Sequence, residues 1–444
     1  MPVIPVTHLS TARREDILGA LRRGAVPNAG LDVLAVGLSR FESAIDAELS
    51  QVATNQGSFK AIRGEYGTGK TFFVRWIEER ARRQGFATAE VQISETETPL
   101  HKLETVYRRA MERLRTANTS TGALPDIIDG WFFALENDVL AQPNVDENDE
   151  ESLENAISAL MEKRLAEVTR KAPQFAATLR AYHAAQRNGD FATAQALLAW
   201  LGGQPNVGAA IKRKADLKGD IDHDVALSFL EGLLTVLRDS GVKGMVLVLD
   251  EVETLQRVRS DVREKSLNAL RQLIDEVYQG RFPGLFLVIT GTPAFFDGPQ
   301  GVQRLAPLAQ RLATDFSADP RFDNPRAVQL RLSGFQQPQL IELGTKIRDL
   351  FADGAKNPTR IRTVVDDTYI EDLASALAGK FGGHVKVAPR IFLKKLIADV
   401  LDRVELFDDF DPRQHYQLTL TRQELNAEES AAVFGVDDID LDLD

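Results

Sequence analysis

Apolar residues recur at helical spacing through Ala12–Arg23, directly after Ser10 and Thr11, whose hydroxyls suit a helix N-cap. Residues 24–30 (GAVPNAG) break that helix, and Leu31–Leu49 predicts a second one. Phe59–Arg63 predicts a short strand, followed by a glycine-rich turn and a helix over Thr71–Gln84. A strand at Ala87–Ile93 and a helix at Leu100–Arg115 repeat the pair, after which residues 116–223 are helical in pattern with acidic and Gly/Pro breaks. The alternation then resumes with a helix at Val225–Ser240, a strand at Met245–Leu249, a helix at Ser260–Tyr278 and a strand at Leu285–Ile289. MVLVL and LFLVI are unbroken apolar runs, as expected of strands covered on both faces of a parallel sheet. Strand and helix in turn predict an α/β fold. Beyond Leu332 the pattern is helical only, at Gln337–Ala352, Thr368–Lys380 and Pro389–Val404, with a last strand allowed at Tyr416–Thr421.

This organisation predicts N-terminal helices over residues 1–58, a core over 59–331 with a helical insertion at about 116–223, a helical region over 332–405, and a terminal segment over 406–444. A chain of 444 residues exceeds the usual size of one core, which agrees with such a division. The hydrophobic fraction of 43% and charged fraction of 27% are those of an ordinary globular protein. No run approaches the ~20 apolar residues of a membrane span, and no leader pattern opens the chain. Without cysteine, disulfide and thiolate chemistry are excluded, so a cytoplasmic protein with no membrane partner is expected. The formal net charge of -12 argues against a surface shaped as a whole for nucleic acid. The acid is concentrated at residues 146–151 (DENDEE) and 437–444 (DDIDLDLD), so a local basic groove stays compatible with it.

The turn after the first strand fits G-x-x-x-x-G-K-[ST] and runs through Gly64, Glu65, Tyr66, Gly67, Thr68, Gly69, Lys70 and Thr71, with Phe72 next. Its glycines let successive backbone N–H groups point at an anion, and the following helix adds its positive end. Lys70 is placed to reach the β and γ phosphates of a nucleotide and Thr71 to ligate Mg2+. A buried strand ending in Asp250 and Glu251 supplies a carboxylate for the metal and one to polarise water as general base. The third strand ends in hydroxyls; if it lies between the other two, Thr290 reaches the γ phosphate, with Thr292 as the alternate.

These motifs, in this order and followed by helices, resemble the AAA+ ATPases, in particular the origin-recognition and helicase-loader branch. The resemblance implies a P-loop parallel-sheet AAA+ core with a helical insertion and an all-helical C-terminal lid. It assigns ATP and Mg2+ as cofactors, Gly64–Thr71 as Walker A, Asp250 and Glu251 as Walker B, and Thr290 as sensor 1. Pro389-Arg390 at a helix start resembles sensor 2. Among Arg304, Arg311, Arg321 and Arg326, the family pattern points first to Arg311 and then to Arg304 as the finger that enters a neighbour's site. Arg23, Val26 and Pro27 fall where the family holds adenine. Origin-recognition relatives carry a winged helix after the lid, and residues 406–444 are too few for one, so duplex readout from that end is not expected. The segments HLSTARREDILGALRRGAVPNAGLDVLAVG, RGEYGTGKTFFVRW, VLVLDEVETL and VITGTPAFFDG are more specific and resemble the ATP-binding proteins of bacterial BREX phage-defence systems, the BrxD-like group.

Two functions follow from the resemblance. One is an oligomeric ATP-hydrolysing switch or motor; the other is a slow nucleotide-gated module that recruits other defence-system proteins through its insertion. Lys212, Arg213, Lys214 and Lys218, with Arg108, Arg109, Arg113 and Arg115, are the candidates for salt-sensitive, non-specific contact with duplex DNA.

Overall fold

The computed structural model describes residues 9–142, 150–380 and 389–425. Five strands, β1 (Ser58–Arg63), β2 (Ala87–Gln92), β3 (Met245–Asp250), β4 (Leu285–Gly291) and β5 (Gln329–Arg331), form one sheet in the order β2-β3-β4-β1-β5. Every adjacent pair is parallel, giving the α/β core that the pattern predicts. Strands β1, β3 and β4 are buried at every residue; in β3 and β4 this shows as sequence without polar alternation, whereas β1 (SFKAIR) buries Ser58, Lys60 and Arg63 as well. The edge strand β5 was not predicted, because three residues are too few to display a period.

Alternate strand residues feed two cores. Ile62, Val246, Val248, Phe286 and Val288 pack against Phe73, Val74 and Ile77 of the helix Lys70–Arg83 and against Ile45 of the helix Ser39–Ala53. On the opposite face, Leu247, Leu249, Leu287 and Ile289 join Leu267, Leu270 and Ile274 of the helix Ser260–Tyr278. That second core runs on into the insertion, whose helices are Leu124–Leu140, Glu150–Lys171, Pro173–Arg187, Phe191–Leu201 and Ala209–Lys214. The junction is aromatic: Phe229, on the helix His223–Asp239, has its ring centroid 5.2 Å from that of Trp200 and 5.4 Å from that of Phe175. Gly232 admits the Phe175 ring, which an added Cβ would meet at 2.9 Å. The insertion is therefore welded to the sheet.

A third cluster gathers the C-terminal helices Gln337–Ala352, Pro358–Val364, Asp367–Lys380 and Pro389–Lys394, the last widening into a π turn over Lys395–Leu401 and ending as Asp402–Leu406. Its helix Pro358–Val364 was not predicted. Ile17, Leu18 and Leu21 of the first helix, Thr11–Arg22, belong to the same cluster, and Arg22 bonds both oxygens of Asp402 at 2.7 and 2.8 Å.

Two predicted elements are corrected. The helix expected over Leu31–Leu49 is two, Leu31–Leu34 and Ser39–Ala53, parted where Gly37 takes a positive φ of 72°. The strand allowed at Tyr416–Thr421 does not form; Tyr416, Leu418 and Leu420 do alternate, but they pack on the C-terminal helical cluster instead of a sheet. The acidic residues 146–149 and 437–444, and residues 382–388 before Pro389, lie outside the described residues.

Candidate functional site

The carboxyl ends of β1, β3 and β4 open into a cleft of about 1000 Å³ between the sheet and the C-terminal helices, the place where parallel α/β sheets bind ligands. Glu65, Tyr66, Gly67, Thr68, Gly69, Lys70, Thr71 and Phe72 line it. The glycine pattern has local causes. Gly67 and Gly69 have φ of 75° and 92°, and a Cβ on Gly64 would collide with Thr68 Oγ1 and lie 3.3 Å from the Leu332 carbonyl. Gly69 caps the helix Lys70–Arg83, so the helix's free amides face the cleft. The Lys70 ammonium donates to the Gly64 carbonyl at 2.8 Å and the Glu65 carbonyl at 3.3 Å, and sits 5.0 Å from the Tyr66 ring centroid.

Strand order brings the other groups together. Because β4 lies between β1 and β3, Thr290 stands beside the end of β3: its hydroxyl donates to Asp250 and accepts from the Glu251 amide at 3.0 Å. The Thr71 hydroxyl donates to the other Asp250 oxygen at 3.3 Å. Thr292, the alternate, is instead the cap of the helix Pro293–Asp297, where it accepts from the Phe295 amide. Burial pushes the Asp250 carboxyl above its ordinary value; the Thr290 hydrogen bond opposes this, while Glu90 and Glu251 reinforce it. A hydroxyl and a carboxylate this close are hard oxygen donors that fit Mg2+, which takes one or two protein oxygens and completes its shell with phosphate and water.

Several contributors escaped the sequence reading. Glu251 has a left-handed backbone (φ 59°, ψ 43°), uncommon for this residue type, and its carboxylate accepts from Gln92 at the end of β2 at 2.9 Å. Gln92 was legible only as a polar residue closing a strand. The Glu253 carboxylate is 3% exposed, lies 3.7 Å from the Lys70 ammonium, and neither of its oxygens has a hydrogen-bond partner. Burial pushes it up, Lys70 and the nearby backbone amide of its own residue draw it down, and Glu251 and Asp250 raise it further.

On the far wall, Val26 and Pro27 line the cleft, together with Gly24, Ala25 and the Val36–Leu38 turn that the broken helix creates. Arg75 of the phosphate-loop helix fixes that wall by donating to the Val26 carbonyl at 3.2 Å. Arg23 is exposed, lies back toward Gly19 of the first helix and is not among the residues lining the cleft. Pro389 and Arg390 line the cleft from the C-terminal helices, and Arg390 donates to the Glu424 carbonyl at 3.2 Å. Gln423, Glu424 and Leu425 thus reach the cleft too, with the Glu424 carboxylate held by Lys395 at 2.9 Å and Lys394 at 3.2 Å.

The arginines after Thr292 separate. Arg311 is engaged within the chain, to both oxygens of Asp275 and to the Pro307 carbonyl. Arg304 is exposed with one hydrogen bond, to Ser260 at 2.7 Å. Arg321 lines this chain's own cleft and pairs with Asp319 at 3.2 Å, whereas Arg326 is exposed away from it.

Fold and site together define an α/β protein built to hold nucleotide phosphates beneath a helical cover. The family described as BREX system ATP-binding protein BrxC/D matches residues 9–420, nearly the whole chain, and the chain belongs to that family. It is accordingly an ATP-binding protein of BREX phage defence. No curated protein matches the chain at a significant level. No helix among the described residues is long and apolar enough to cross a membrane.

Proposed function

We propose that the chain hydrolyses ATP in this cleft as an AAA+ switch or motor whose site is completed by a neighbouring copy. The observation that carries the reading is the joining of Thr290, Asp250 and the Glu251 amide beside the phosphate loop. Lys70 turns from the Gly64 and Glu65 carbonyls to the β and γ phosphates, and the loop amides hold the remaining oxygens. Thr71 and Asp250 would hold Mg2+, which supplies charge neutralisation on the phosphates. Glu251 polarises the attacking water, Thr290 registers the γ phosphate, and Arg390 approaches it from the C-terminal helices acting as a lid. For the arginine given to a neighbour, Arg304 fits better than Arg311, because Asp275 already neutralises Arg311.

The slow gated-module reading has its own support: Gln92 restrains Glu251, and Glu424 engages Arg390. Other defence-system proteins are then the partners, met through the insertion. The test is phosphate release by the wild type and Glu251→Gln, with ATP binding measured in parallel. The expectation is a loss of about 10²- to 10⁴-fold in turnover with binding retained. Equal turnover in both would remove Glu251 from its role, and wild-type binding without turnover would favour the gated module.

A further inference from the structure

Glu253 has no task in the scheme above, yet its position is costly. A buried carboxylate without hydrogen bonds is tolerated only where something offsets it, and here a single ammonium lies nearby, at 3.7 Å from Lys70. The chain arranges this deliberately. The left-handed backbone at Glu251 turns the path as β3 ends, and the 3₁₀ turn Val252–Gln256 tucks Glu253 inward, 3% exposed, against the cleft that Asp250 and Glu251 also line. Three carboxylates therefore line the cleft beside the phosphate loop, and of the three Glu253 is the one whose oxygens have no hydrogen-bond partner and the one beside Lys70.

The geometry points to Glu253 as a positioning residue that holds Lys70 in the empty loop and makes phosphate binding depend on a divalent cation. This rests on the ATP-binding cleft proposed above. Lys70 is balanced between the Gly64 and Glu65 carbonyls and the Glu253 charge. An entering polyphosphate competes with Glu253 for the same ammonium and meets its negative charge across a poorly solvated space. One lysine cannot neutralise both, so the nucleotide binds well only when it brings a cation to the Thr71 and Asp250 oxygens. Removing the Glu253 charge leaves Lys70 wholly available to the phosphates and relaxes the need for metal.

The experiment measures ATP affinity of the full chain in excess EDTA and in excess Mg2+, for the wild type, Glu253→Gln and Glu253→Asp. Glu253→Gln is expected to narrow the gap between the two affinities by about tenfold or more, chiefly through tighter binding in EDTA, as loss of one buried like charge predicts. Glu253→Asp, which keeps the charge, is expected to retain most of the wild-type gap. Should Glu253→Gln not fold, as judged by circular dichroism, Glu253→Met keeps the length without buried polar atoms and carries the same expectation. A Glu253→Gln or Glu253→Met variant with the wild-type gap overturns the inference and leaves the ATP-binding reading standing. A wild type that binds ATP in neither condition overturns both. A purely packing role would lower the melting temperature and leave the gap unchanged, which also counts against the inference.

Discussion

In the helical insertion Arg164 meets Asp138 and Asp239, Arg180 meets Glu162, Lys212 meets Asp220 and Lys214 meets Asp190, while Phe175, Trp200 and Phe229 close an aromatic core beneath. In the cleft, Asp250, Glu251 and Glu253 line one region of the wall with Glu253 beside Lys70, the Glu253 oxygens stay without a hydrogen bond, and Glu251 sits in a left-handed backbone. Charges in the first region are balanced within the chain; those in the second await partners from outside. Stability should therefore reside in the insertion and core, and ligand dependence in the cleft.

The sharpest break of that contrast comes from exchanging the two kinds of damage. Trp200→Ala, which empties the junction between insertion and core, is expected to cost about 3–5 kcal/mol in denaturant unfolding, with ATP affinity of the folded protein unaltered. Lys70→Ala should do the reverse. ATP affinity falls at least about thirtyfold, roughly the 2 kcal/mol lost when one member of a buried charge pair is truncated. Because Lys70→Ala also strands the buried Glu253 charge, unfolding is compared in the double variant Lys70→Ala with Glu253→Gln, whose midpoint should move little. If Lys70→Ala with Glu253→Gln unfolded the chain, or Trp200→Ala abolished binding without destabilising it, the contrast would be wrong.

A smaller effect sharpens the boundary at Glu424. Burial alone would raise its carboxyl, but hydrogen bonds from Lys395, the Thr421 amide and Lys394 outweigh this and bring it to about 2. A carboxyl lowered on folding contributes stability that is present above its unfolded value of about 4.3 and disappears as pH falls toward 2. Urea unfolding of the wild type should weaken over that window, and Glu424→Gln should flatten this part of the pH dependence. The smallest change is expected from Lys212→Glu with Lys214→Glu. Because these lysines are already paired with Asp220 and Asp190 on the surface, retention on duplex DNA at low salt should scarcely alter. A large loss of retention would restore that helix as a DNA contact.

The sequence shows some of these features and hides others for definite reasons. The phosphate loop is legible because its geometry is local: Gly67 and Gly69 need positive φ, and Gly64 cannot carry a Cβ. The unbroken apolar runs of β3 and β4 announce burial on both faces. Strand order is a tertiary property, so the meeting of Thr290 with Asp250 could only be stated as a condition. Gln92, Glu253 and the Val36–Leu38 wall were missed because each depends on a turn made by one or two residues, such as Gly37 or Glu251. Arg23 shows the same dependence: one residue beyond its helix, Gly24 and Ala25 line the cleft while Arg23 is not among the lining residues. The pairing of Arg311 with Asp275 joins segments far apart in the chain, which spacing cannot reveal.

The most direct test of the account is ATP turnover per subunit over a wide range of protein concentration, for the wild type and Arg304→Ala. A cleft that awaits a cation from a second copy predicts turnover per subunit that climbs with concentration in the wild type and stays low in Arg304→Ala. Turnover that is the same per subunit at every concentration, and the same in both proteins, would mean that each chain holds a complete site, contradicting the claim.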